Sequence, residues 1–149
     1  MKHLIVFLLA VFIPISAWAA LGTTDTSVQK DRIFLKGTLS LENFSTHRVY
    51  HIQTKTGCTV REYVSPSGTV FGIAWQGPYI PDLKQLLGPQ YQTYINALKA
   101  ERMQHRGRRP LNISSGGLVV QMIGHMRSFA GRAYLPALLP QGIDISAVR

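Results

Sequence analysis

The residues of this chain that could do chemistry are four histidines beyond residue 19 (His47, His51, His105 and His125), one cysteine and a few scattered carboxylates. None of the histidines has the spacing of a zinc site, such as an i, i+4 helical pair with Glu between. A copper site would draw on the soft ligands Cys58, Met122 and Met126 beside His125, but no repeated Met motif frames them. Nucleophilic attack by Cys58 needs a base such as His51 or His125, and Gly57 and Thr59 on either side of the thiol read as a hairpin corner. Ser65-Pro66-Ser67-Gly68 is turn chemistry and not a nucleophile elbow. A hydrolase would have to take its acid or base from Glu62 or Asp82, the carboxylates nearest the aromatic stretch. The sequence therefore assembles no catalytic set, no metal site and no cofactor site.

Two binding features are denser. Arg61, Glu62, Tyr63, Trp75 and Tyr79 fall within nineteen residues, together with Gln76-Gly77-Pro78. They fit either a groove lined by Tyr63, Trp75 and Tyr79 with Arg61 and Glu62 at its rim, or a core Trp capped by a fixed turn, and the second is the plainer reading. Arg106, Arg108 and Arg109 surround Gly107 before Pro110. They read as a solvated loop with the capacity for weak docking to anionic lipid head groups or acidic polysaccharide.

The elements that must position these residues begin after a leader. Met1-Lys2-His3, an apolar run from Leu4 to Ile15 and Ala17-Trp18-Ala19 follow the pattern of a secretory signal, so cleavage after Ala19 is expected. Export to the periplasm or beyond follows, with no transmembrane segment left in the mature chain. Residues 20–149 are of single-domain size, and a net charge of +9, one less when Lys2 leaves, favours anionic neighbours in the envelope. Nucleic acid is not expected in that compartment. A lone cysteine forms no internal disulfide, so the core alone must hold the fold and Cys58 is expected buried.

Leu21 to Ser27 reads as a loose leader, and Val28 to Leu35 as a short helix stopped by Gly37. Val49–Thr54 and Cys58–Val64 are rich in β-branched and aromatic residues and flank the turn Lys55-Thr56-Gly57. Thr69–Trp75 adds a third antiparallel strand, with Phe71, Ile73 and Trp75 on one face and Gly72 and Ala74 on the other, against which another element presses. Pro81 opens a helix with Asp82 in its first turn, and Leu83, Leu86 and Leu87 form its apolar face up to Gly88. Tyr91, Tyr94, Ile95 and Leu98 then lie at i, i+3, i+4 and i+7, one buried helical stripe. Leu118–Ile123 and Ser128–Leu135 form a later strand pair, with Gly131 a bulge or a close contact, and the tail from Pro136 is an extended surface segment. The expected class is α+β: an antiparallel sheet, made of a three-strand meander plus the later pair, with a helical segment across one face.

Val60-Arg61-Glu62-Tyr63-Val64, Ala74-Trp75-Gln76-Gly77-Pro78, Pro81-Asp82-Leu83, Gly124-His125-Met126-Arg127 and Gly131-Arg132-Ala133-Tyr134-Leu135-Pro136 carry a resemblance. With Ser67-Gly68, Val70-Phe71, Leu86-Leu87-Gly88, Phe129, Gly142 and Val148-Arg149, the chain resembles a family of small exported bacterial proteins catalogued as domain of unknown function 2844. That family implies no activity and no catalytic residues. The expected function is a non-enzymatic binding or structural module for an envelope protein or anionic surface component, with a small hydrolase acting on envelope polysaccharide or peptide as the alternative.

Overall fold

A computed structural model describes residues 21–104 and 110–149. The expected signal segment, His105 and the arginines Arg106, Arg108 and Arg109 lie outside the described residues.

Alternation of β-branched and polar residues along much of the chain produces seven strands. Helix α1 (Thr26–Phe34) leads into β1 (Thr38–Asn43), β2 (Arg48–Gln53), β3 (Thr59–Val64) and β4 (Val70–Gly77). Helices α2 (Leu83–Leu87) and α3 (Tyr91–Gln104) follow, bridged by a 3-10 turn at Gly88–Gln90, and β5 (Leu111–Ser115), β6 (Leu118–His125) and β7 (Ser128–Tyr134) complete the sheet. All pairings are antiparallel, in the order β1-β2-β3-β4-β7-β6-β5. Two meanders are thus joined through β4 and β7. The antiparallel sheet with helices on one face stands, but it has two strands more than expected, β1 and β5, and sheet outweighs helix.

Val28, Leu86, Leu87 and Tyr94 from the three helices bury against Ile52, Val60, Val64, Ile73, Trp75, Val120 and Ala133. This is the main core. The loose leader expected at Leu21–Ser27 is corrected: Leu21 is fully buried, its N–H bonds to Leu86 O, and Gly22 N–H and Thr23 O bond the backbone of Val70. Asp82 precedes α2 and does not sit inside its first turn. Its side chain accepts from Gln85 N–H as the N-cap, which moves the helix start from Pro81 to Leu83.

The expected face of β4 is also corrected. Tyr63 pairs with Gly72 but Val64 pairs with Val70, leaving Phe71 as the extra residue of a β-bulge. Phe71 is thereby turned to the side of Gly72 and Ala74, away from Ile73 and Trp75, and packs with Val49, Tyr63 and Val148. The element pressed on that small-residue face is the segment after Pro136, which is no free surface tail: Val148 is fully buried, and a Cβ on Gly72 would lie 3.1 Å from it. Gly131 is a close contact in a regular stretch of pairing, because it lies opposite Trp75 and a Cβ there would collide with the indole.

Candidate binding face

Cross-strand partners share a face, so the register writes out the surface away from the helices. Ser40, His51, Arg61, Ala74, Arg132, Gln121 and Asn112 are successive partners across β1, β2, β3, β4, β7, β6 and β5. They form one row, polar except at Ala74, which is buried with Phe71 and Val148. The parallel row Val49, Tyr63, Gly72, Tyr134 is apolar and lies under the C-terminal segment.

Side chains of the two rows hold that segment by its backbone. Arg61 Nη1 donates to Arg149 O at 2.9 Å, and Tyr63 Oη donates to the same oxygen at 2.8 Å while accepting from Arg149 N–H at 3.1 Å. Arg132 Nη1 donates to Ile145 O and Val148 O, both at 3.1 Å, and its Nε donates to Gln121 Oε1 at 2.7 Å. A concavity flanks the segment on either side. One, of 530 Å³, is lined by Gln76, Asn112, Gln121, Ile123 and Arg132. The other, of 780 Å³, is lined by Glu42, Phe44, His47, His51, Tyr63 and Arg149. Arg61 borders both.

The larger concavity has an aromatic wall and a charged rim. Phe44 stacks on His47 with centroids 4.8 Å apart, and His47 faces Tyr63 and Phe71 at 6.1 Å each. Burial among these rings holds the His47 imidazole below its ordinary pKa, against the opposing pull of the Glu42 carboxylate. His51 Nε2 lies 3.2 Å from Glu42 Oε2.

Arg61 and Tyr63 lie on this face, Glu62 and Trp75 on the helix face, and Tyr79 in the exposed loop after β4. The five residues do not all line one groove: Arg61 and Trp75 border the smaller concavity, and Arg61 and Tyr63 the larger. Trp75 is 2 % exposed in the main core. Sequence reasoning missed His51, Arg132, Gln121 and Asn112 as members of one row, because strands far apart in the chain supply them. The signal that could have found them is parity along each strand once the strand order is known.

Glu62 lies fully buried beside Asp31 of α1, with Gln85 Nε2 of α2 donating to Asp31 Oδ1 at 2.8 Å. Burial, then the neighbouring Asp31 charge, pushes the Glu62 carboxyl well above the ordinary range. Burial likewise raises Asp31 to about 6. Neither described concavity opens onto this pair, and Asp82 is committed to capping. Cys58 is buried as expected and its Sγ donates to Tyr79 O at 3.2 Å. Met126 sits in the β6–β7 turn, three strands away, so the candidate copper ligands are not brought together. Among the described residues no three of His, Cys, Asp and Glu gather as for a metal, and no helix is long and apolar enough to cross a membrane.

The fold and this face define a one-sheet protein with helices on one side and, on the other, a polar row crossed by its own C-terminal segment. The family model for proteins of unknown function catalogued as DUF2844 matches residues 17–148, and the chain belongs to that family. Comparison with curated proteins and with solved structures finds no match.

Proposed function

We propose that this is an exported, non-enzymatic binding module whose open sheet face takes an acidic polysaccharide of the cell envelope. The carrying observation is the 780 Å³ concavity, where Arg61, Arg149 and His51 stand over the wall of Phe44, His47 and Tyr63. Guanidinium groups recognise carboxylates by charge-assisted hydrogen bonds, and aromatic faces accept the apolar sides of sugar rings. A hydrolytic reading finds less support, because Glu62 is sealed in the core and Asp82 is spent on a helix cap.

The test is retention on an immobilised acidic polysaccharide against a neutral one at low salt. Combined replacement of Arg149→Gln and His51→Gln is expected to abolish retention, while Ser at Arg106, Arg108 and Arg109 leaves most of it. The reverse pattern would place docking on the arginines Arg106, Arg108 and Arg109. Equal retention on acidic and neutral matrices sinks the anionic reading.

A further inference from the structure

Strand β1 ends the sheet, and among the described residues nothing pairs with its outer side. Its six residues, Thr38-Leu39-Ser40-Leu41-Glu42-Asn43, pair with β2 without a register shift, so the free edge is regular. Exposed edges are ordinarily blunted by Lys, Pro, a bulge or inward charge. β1 has none of these: its only ionisable residue is Glu42, whose carboxylate lies against His51 of its own chain. Leu41 is 47 % exposed although its partner Tyr50 packs on the main core. Ile33 and Phe34, at the end of α1 and on the same side of the sheet, are also exposed. Phe34 is four residues before Thr38, within about 14 Å along the chain.

We propose that β1 pairs with β1 of a second copy, joining two sheets into one of fourteen strands with the helices of both copies on the same side. The choice of occupant rests on self-complementarity. In an antiparallel pair about a two-fold axis at Ser40, Ser40 meets its own equivalent, Leu39 meets Leu41, and Thr38 meets Glu42. Both leucine pairs then lie on the helix side and extend the core across the junction. Moving the axis to Leu41 sets Leu39 against Asn43 and Ser40 against Glu42, and moving it to Glu42 opposes two like charges. The register centred on Ser40 is thus the one that sets both leucines of each copy against leucines and opposes no like charges. A five-residue ladder with a small apolar fringe falls short of the roughly 1,200 Å² of stable interfaces, so the dimer is weak and concentration-dependent.

Sedimentation of the mature protein over a wide concentration range is expected to show a monomer–dimer equilibrium. Association should strengthen with salt, because two copies, each carrying the +9 of the full chain less the charge of Lys2, repel and the ladder sets no like charges opposite one another. Leu41→Lys is expected to weaken self-association by about tenfold or more, with the far-UV circular dichroism and Tm unchanged. As a register test independent of that variant, Ser40→Cys should crosslink to itself through a short bifunctional maleimide, whereas Thr38→Cys should crosslink only when mixed with Glu42→Cys. The buried Cys58 sets the background. In the proposed register two Ser40 equivalents are about 5 Å apart and two Thr38 equivalents about 14 Å apart. A protein that stays monomeric at every concentration, a dimer that weakens with salt, or one that Leu41→Lys leaves intact overturns the proposal.

Discussion

At the scale of single residues, the least ordinary choice is the carboxyl pair Asp31 and Glu62, placed where β3 meets α1 and α2. Both acids are held above their ordinary values, so the folded protein binds protons that the unfolded chain gives up. The stability this contributes is complete below about pH 4 and is lost as pH rises through the folded value of Asp31, about 6, with Glu62 extending the loss further upward. Glu62→Gln keeps the shape of the side chain and removes one titration. Chemical denaturation at pH 5 and pH 8 is expected to show the variant gaining on the native protein as pH rises, and an unchanged difference between the two pH values would contradict the raised titration of Glu62. Gly131 is required for a different reason, the indole of Trp75 lying across its Cα. Gly131→Ala overfills that contact and is expected to cost about 1–3 kcal/mol in urea unfolding. A fully native midpoint would show that the ring moves aside freely.

At the scale of elements, the C-terminal segment is the part whose fixation can be measured separately. Tyr63→Phe removes the phenol that both donates to and accepts from Arg149, and Arg132→Ala removes the guanidinium on Ile145 O and Val148 O. Limited proteolysis is expected to cut after Leu139 several times faster in the double variant while the sheet stays intact, and equal cutting rates would mean that Val148 and its apolar neighbours hold the segment alone. The meander β2–β4 was readable in the sequence because β-branched runs alternate with the Gly57 and Gly68 turns, and both glycines adopt the positive φ those turns need. β1 and β5 leave little mark in the sequence because each has only two apolar residues, Leu39 and Leu41 or Leu111 and Ile113, too few to stand out before the sheet supplies their neighbours. The bulge at Phe71 has no local mark, since one extra residue changes parity without changing composition. The tail looked like surface because Leu139, Ile143 and Val148 are sparse among Pro140 and Gly142, and their burial depends on a small-residue floor built some seventy residues earlier.

At the scale of the whole molecule, the candidate face is a product of strand order more than of any motif. Arg61 and Tyr63 were singled out from the sequence and are found together, but Glu62 and Trp75 alternate to the other side of the same sheet. The cluster around Trp75 drew in Arg61 but gives no hint that Arg132, seventy-one positions later, shares its row. The backbone clasp of Arg61, Tyr63 and Arg132 also sets an order of events in time. Contacts between residues 61 or 63 and residue 149 span 88 or 86 positions, and their anchor points exist only after β3, β4 and β7 have aligned. Closing so long a loop before the sheet forms gains nothing, so the clasp belongs on the native side of the folding barrier. Stopped-flow measurements on Tyr63→Phe are expected to show a faster unfolding limb and an unaltered folding limb. A slowed folding limb would instead make the clasp part of the nucleus. The segment that crosses the open face therefore acts as a brake on unfolding, lengthening the lifetime of a sheet it takes no part in building.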